Sequence, residues 1–103
     1  MYEWDETKNR SNIKKHGLGF ATAVRIFEGP VFRLADNRFD YGEQRSNSIG
    51  RVGSALVIVV THTGRDGRTR IIPARPAKRA ERNRYEQALH ERTGHRRTGD
   101  DPG

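Results

Sequence analysis

Between Ala55 and Val60 the chain carries its longest apolar run, in which Leu56, Val57, Ile58, Val59 and Val60 follow one another without a polar break. A continuous, mostly β-branched run suits a central strand covered on both faces, because alternation is expected only where one face meets water. It is far too short to cross a bilayer. Only 32% of the 103 residues are hydrophobic and an equal 32% are charged. The strand can therefore anchor one small domain with a thin core, the kind that often gains stability from a partner.

Around this strand the punctuation is clear. Residues 2–4 predict a short strand, Asp5 an N-cap, residues 6–16 a polar helix, and Gly17 its left-handed end. Phe20, Ala23, Val24 and Phe27 recur at helical spacing, predicting a second helix over 20–27 that Gly29-Pro30 closes. Strands are expected at 31–34, 43–49, 54–61 and 68–75, with turns at 36–42 and 63–67. Pro76 suits the first turn of a C-terminal helix over 77–92. The order β-α-α-β-β-β-β-α describes an α+β domain with an antiparallel meander. One domain is expected over 1–92. Residues 93–103 lack apolar periodicity and are expected to form a disordered tail.

Charge is concentrated at one place. Residues 68–84 hold seven Arg/Lys against a single acid, Glu81, a balance of +6 in a chain whose net charge is +7. The cluster spans a strand and a helix, which favours a surface that receives a polyanion over a solvated helix face. The chain has no cysteine, which excludes disulfides, thiolate chemistry and Cys-type zinc sites and fits a reducing compartment. Met1 leads directly into polar sequence unlike a signal peptide, so a cytoplasmic protein without membrane contact is expected.

The four histidines (His16, His62, His90, His95) lack ligand spacing, and there is no carboxylate cluster, phosphate loop or nucleophile elbow. No metal or cofactor is expected. What remains is a site of cations and acid/base groups. Metal-free RNA cleavage needs a base for the 2′-OH, positive charge on the transition state and an acid for the 5′-oxygen. Period-2 geometry puts Glu43, Arg45 and Asn47 on one strand face, and Arg68 and Arg70 on one face of another, with Arg75 at the strand-to-helix junction. Glu43, Arg45 and Arg70 on a shared sheet face would form a phosphate-binding cleft; the bland alternative is cross-strand pairing. His16, in Lys14-Lys15-His16-Gly17, serves equally as a cationic helix cap or an acid/base group. Tyr85, at helical spacing with Glu81 and Leu89, is either a base-stacking or a packing residue, and Trp4 reads as core.

As a set, Trp4-Asp5-Glu6-Thr7-Lys8, Asn12-Ile13-Lys14-Lys15-His16-Gly17, Gly42-Glu43-Gln44-Arg45, Ile49-Gly50 and Arg70-Ile71-Ile72-Pro73-Ala74-Arg75 resemble the BrnT family of toxins from type II toxin–antitoxin modules. The resemblance covers about Trp4 to Tyr85. It implies a RelE-like fold, a ribonuclease that arrests translation, and a BrnA-type ribbon-helix-helix antitoxin that joins it in a heterotetramer or larger complex and carries it to operator DNA. The family's motif positions fall on Lys8, His16, Glu43, Arg45, Arg70, Arg75 and Arg79. The expected catalytic set is Glu43, Arg45, Arg70, Arg75 and His16, and the expected RNA contacts are Lys8, Arg68, Arg79, Arg82 and Tyr85. The other reading is a non-catalytic basic module that binds nucleic acid or docks a partner. Two positions depart from the family pattern: Gly19 stands where a capping Ser often precedes the Phe, and Pro73 where Ser is common. A proline cannot donate to a strand ladder, so an edge or a bulge is expected at Pro73.

Overall fold

The computed structural model describes residues 1–36, 44–53, 56–65 and 67–100, with side chains described as far as Glu91 except that of Arg65. Its elements are β1 (Tyr2–Trp4), α1 (Glu6–His16), α2 (Phe20–Ala23) running into a 3-10 turn (Val24–Glu28), β2 (Phe32–Asp36), β3 (Arg45–Val52), β4 (Leu56–Arg65), β5 (Arg68–Pro76) and α3 (Arg79–Asp100). They build an α+β domain around one sheet of order β1-β5-β4-β3-β2. The apolar strand β4 is central, as its composition demands.

The expected meander holds for β2 to β5, which pair antiparallel in sequence order. The sheet as a whole is mixed, because β1 lies parallel to β5 with Tyr2 opposite Thr69 and Trp4 opposite Ile71. A three-residue strand whose partner is this distant in sequence leaves no local signal, and parallel pairing needs such a long connection. Pro76 is a second correction. It ends β5 rather than starting the helix, and the ladder carries past it, since Ala77 N–H donates to Val57 C=O at 2.9 Å. Helix α3 therefore begins later than expected and runs beyond residue 92.

The caps of α1 are local and match expectation. Asp5 accepts hydrogen bonds from the N–H groups of Thr7 (2.8 Å) and Lys8 (3.3 Å), which lowers its carboxyl pKa, and Gly17 closes the helix at φ +67°. Gly19 offers no capping side chain to α2; Asn9 of α1 supplies the acceptor instead, taking the Phe20 N–H at 2.8 Å. Helix α1 also guards the part of β5 that β1 is too short to cover. The buried Asn12 accepts the Ala74 N–H (3.1 Å) and donates to Leu18 C=O (2.7 Å), fixing helix, loop and strand together.

Each sheet face has its own apolar cluster. On the first, Ile58, Val60, Ile71 and Ala74 pack under Leu18, Phe20, Ala23 and Ile26, with Trp4 edge-on to Phe20. Gly50 belongs to this face. A Cβ there would meet the Ile26 Cβ at 2.6 Å, so the 3-10 turn can approach the sheet only over a glycine. The second face is covered at one end by α3, whose Tyr85 packs on Ile49, Val57 and Val59 beside Phe32 and Leu89.

Candidate functional site

The other end of that second face is where the cations gather. Pairing places Glu3, Arg70, Thr63, Arg45 and Asp36 opposite one another in a single row across the five strands. Directly paired residues share a face. Arg45 and Arg70 thus flank Thr63 on one side of the sheet, the shared face that strand periodicity alone leaves conditional. Beside this row lie Asn47 and Thr61, whose Oγ1 donates to Asn47 Oδ1 at 2.6 Å. Thr63 Oγ1 donates to Gln44 C=O at 2.6 Å. Glu43 lies outside the described residues.

Arg75 joins the same face through an irregularity. Arg70 pairs with Thr63 and Arg75 with Val59, two β4 positions four apart, although the arginines are five apart. In an unbroken strand five residues would put them on opposite faces. The register shifts between Val60 and His62, so that Ile72 and Pro73 both stand opposite Thr61. Of the edge or bulge expected at Pro73 the structure has a bulge, and it resets the alternation. Ile71 and Ala74, three apart, both turn into the core, and Arg70 and Arg75 both turn to the second face, Arg70 at its open end and Arg75 beside α3.

The arginines are held differently. Arg70 reaches Glu3 Oε2 at 3.3 Å, and Arg68, more exposed, reaches Glu3 Oε1 at 3.5 Å. These are long contacts for charge-assisted bonds. Arg75 instead makes a fork-to-fork pair with Glu81, both bonds at 2.7 Å. Glu81 also accepts the Lys78 N–H at 2.8 Å, capping the first turn of α3. The Arg75 bonds hold the Glu81 carboxyl well below the usual range, at about 2. Glu3 and Glu81 are site residues that sequence reasoning passed over. Glu81, three residues after the position that caps α3, carried a readable signal, while Glu3 depended on the unforeseen pairing of β1.

His16 and Lys8 are not among the arginines. They line a groove of about 220 Å³ between α1 and β5, together with Ser11, Asn12, Lys15, Ile72 and Pro73. The bulge forms one wall, so the groove adjoins the segment that carries Arg70 and Arg75 at its two ends. Arg79 and Arg82 are exposed on the first turns of α3. Tyr85 is a correction to the RNA-binding set. It is 2% exposed, its ring packs in the second core cluster and its hydroxyl donates to Pro30 C=O at 3.1 Å, so no base can stack on it.

His62 is buried in the first face, against Phe27, with Nε2 at 2.8 Å from Ser48 Oγ. Burial, aided by the Arg33 charge, pushes its pKa down to about 4, so it is neutral near pH 7 and acts in packing. Among the described residues no three His, Asp or Glu side chains converge, and no helix is long and apolar enough to cross a membrane.

Residues 4–81 match the family model described as the ribonuclease toxin, BrnT, of type II toxin-antitoxin systems. The chain is also similar to the crystal structure of the Brucella abortus ribonuclease toxin BrnT, at 29% identity and a TM-score of 0.58, over 77% of this chain and 99% of that one. No curated protein matched.

Proposed function

This chain belongs to the BrnT family of ribonuclease toxins of type II toxin–antitoxin systems, and from that premise we propose that it cuts RNA by a metal-independent transesterification on its open sheet face. The observation that carries the reading is the bulge at Ile72 and Pro73, which turns Arg75 to the face that holds Arg45 and Arg70.

In the proposed reaction the 2′-oxygen attacks the adjacent phosphorus and a base takes its proton. The bond to the 5′-oxygen then breaks, an acid protonates that oxygen, and a 2′,3′-cyclic phosphate remains. Arg45 and Arg70 balance the charge that builds on the phosphoryl oxygens; the long contacts of Arg70 to Glu3 let a phosphate displace them. Arg75, clamped by Glu81, is a positioned cation at the edge of the same site. Glu43 and His16 are the proposed acid/base pair, His16 acting from the groove between α1 and β5, beside rather than among the arginines. Lys8, Arg68, Arg79 and Arg82 extend the positive surface along which the RNA runs. In the cell the reading implies cytoplasmic arrest of translation, relieved by a BrnA-type ribbon-helix-helix antitoxin that brings the complex to operator DNA, on a RelE-like scaffold.

The test is incubation of the purified protein with labelled RNA in EDTA and end-group analysis of the fragments, beside an Arg70→Ala, Arg75→Ala variant. Cyclic-phosphate ends that fall by roughly 10²–10³ in the variant support the reading. RNA that is bound yet left intact, with and without ribosomes, rejects it in favour of a binding module.

A further inference from the structure

We propose that the groove between α1 and the β5 bulge is a nucleotide subsite, taking the base of the residue next to the cut phosphate against Ile72 and Pro73 and its phosphate on Lys8 and Lys15; this rests on the ribonuclease reading above. Four observations meet here. The groove shares its wall with the segment between Arg70 and Arg75, so a strand whose phosphate lies at Arg70 has its neighbouring nucleotide at the bulge. Lys8, Ser11 and Lys15 recur at i, i+3 and i+7, which puts them on one face of α1 above that wall. Both lysines are exposed; the salt bridges among the described residues are made by Arg51, Arg68, Arg70 and Arg75, and Lys8 is near enough to Asp5 to help lower its pKa.

The floor is rigid as well. Asn12 is buried with its amide engaged on both sides, by Ala74 N–H and Leu18 C=O, so helix and bulge are held at a fixed spacing. A preformed cleft with an apolar wall and a few polar groups is the usual form of a small-ligand site. At about 220 Å³ it admits a base. It does not admit a partner helix, which is about 10 Å across. An RNA nucleotide is favoured over an acidic peptide for that reason and for the continuity with the arginines.

The experiment titrates the full chain with a trinucleotide methylated at its 2′-oxygens, which cannot be cut, and follows the Ile72 methyl signals by NMR. The same titration is run with Lys15→Ala across a salt series, and circular dichroism checks that variant's fold. The expected result is a saturable shift at Ile72, binding weakened roughly three- to tenfold in Lys15→Ala, and a log–log salt slope shallower by about 0.7 for the lost phosphate contact. An Ile72 signal that stays still while the Thr63 amide moves overturns the subsite. So does an unchanged salt slope, or a shift at Ile72 produced by an acidic peptide and not by the trinucleotide. Cleavage of RNA in EDTA without a response at Ile72 rejects the subsite alone; a response at Ile72 from a protein that never cuts rejects the ribonuclease reading alone.

Discussion

Glu81 is the joint between the sheet and α3, and Glu81→Gln removes its charge while keeping its shape. In the folded protein the carboxylate takes two bonds at 2.7 Å from Arg75 and one at 2.8 Å from the Lys78 N–H. Its pKa falls from an ordinary 4.5 to about 2. Each tenfold in acidity is about 1.4 kcal/mol, so this depression caps the linked stability at roughly 3 kcal/mol. The pair is partly in water, with side-chain exposures of 36% for Arg75 and 27% for Glu81. Screening therefore reduces the expected loss to about 1–2 kcal/mol. Because the folded pKa lies below the unfolded one, the stabilisation is fully present above pH 4.5 and disappears as pH falls towards 2. Urea unfolding of parent and variant at pH 7 and again near pH 2.5 measures it. A gap of about 1–2 kcal/mol at pH 7 that closes most of the way in acid is the expected result. An equal gap at both pH values would refute the assignment, because the loss would then come from packing rather than from the ion pair.

Arg45→Ala is expected to lower RNA cleavage by roughly 10²–10³ while leaving the melting temperature within a few degrees, as read by cleavage rate beside thermal denaturation. Gly50→Ala drives a Cβ to within 2.6 Å of Ile26 and is expected to cost about 1–3 kcal/mol; a neutral result in denaturant unfolding would mean that the 3-10 turn is not pressed on the sheet. Asn12→Ala leaves the Ala74 N–H and the Leu18 carbonyl without their partner and is expected to lose about 2–3 kcal/mol by the same assay. His62 should stay neutral down to about pH 4. Since its folded pKa lies below the unfolded 6.5, stability falls as pH drops from 6.5 to 4 and levels off beneath, and an NMR titration of the His62 ring giving a midpoint near 6.5 would contradict its burial.

What could be read from the chain depended on how far each determinant reaches. Asp5 and Gly17 act on their own helix turn, and both caps stand where expected. The apolar run of β4 pointed to its central place, since its consecutive residues Val57 to Val60 are buried on both faces. Tyr85 shows the opposite situation: the spacing Glu81, Tyr85, Leu89 is the same for a stacking ring as for a packing one. Only the landing of α3 on Ile49, Val57 and Val59 decides between them, and that is set by long-range geometry. The parallel pairing of β1, and with it the Glu3 partner of Arg70, was hidden for the same reason.

The bulge lies between these cases. Pro73 announces that a ladder bond is missing, but not that the alternation of every later residue is inverted. Arg70 and Arg75 are close in the chain, and that closeness by itself assembles nothing: a regular strand would aim one at the open face and the other into the apolar cluster under α2. A guanidinium cannot sit among Phe20, Ile26 and Ile58 without a partner, so a regular β5 would carry an uncompensated buried charge. The extra residue removes that conflict and in the same step turns the second arginine to the face that holds the first. Proline suits the position because the unpaired residue of a bulge needs no N–H. The same local break that spares the core a buried charge therefore adds Arg75 to the face that carries Arg45 and Arg70.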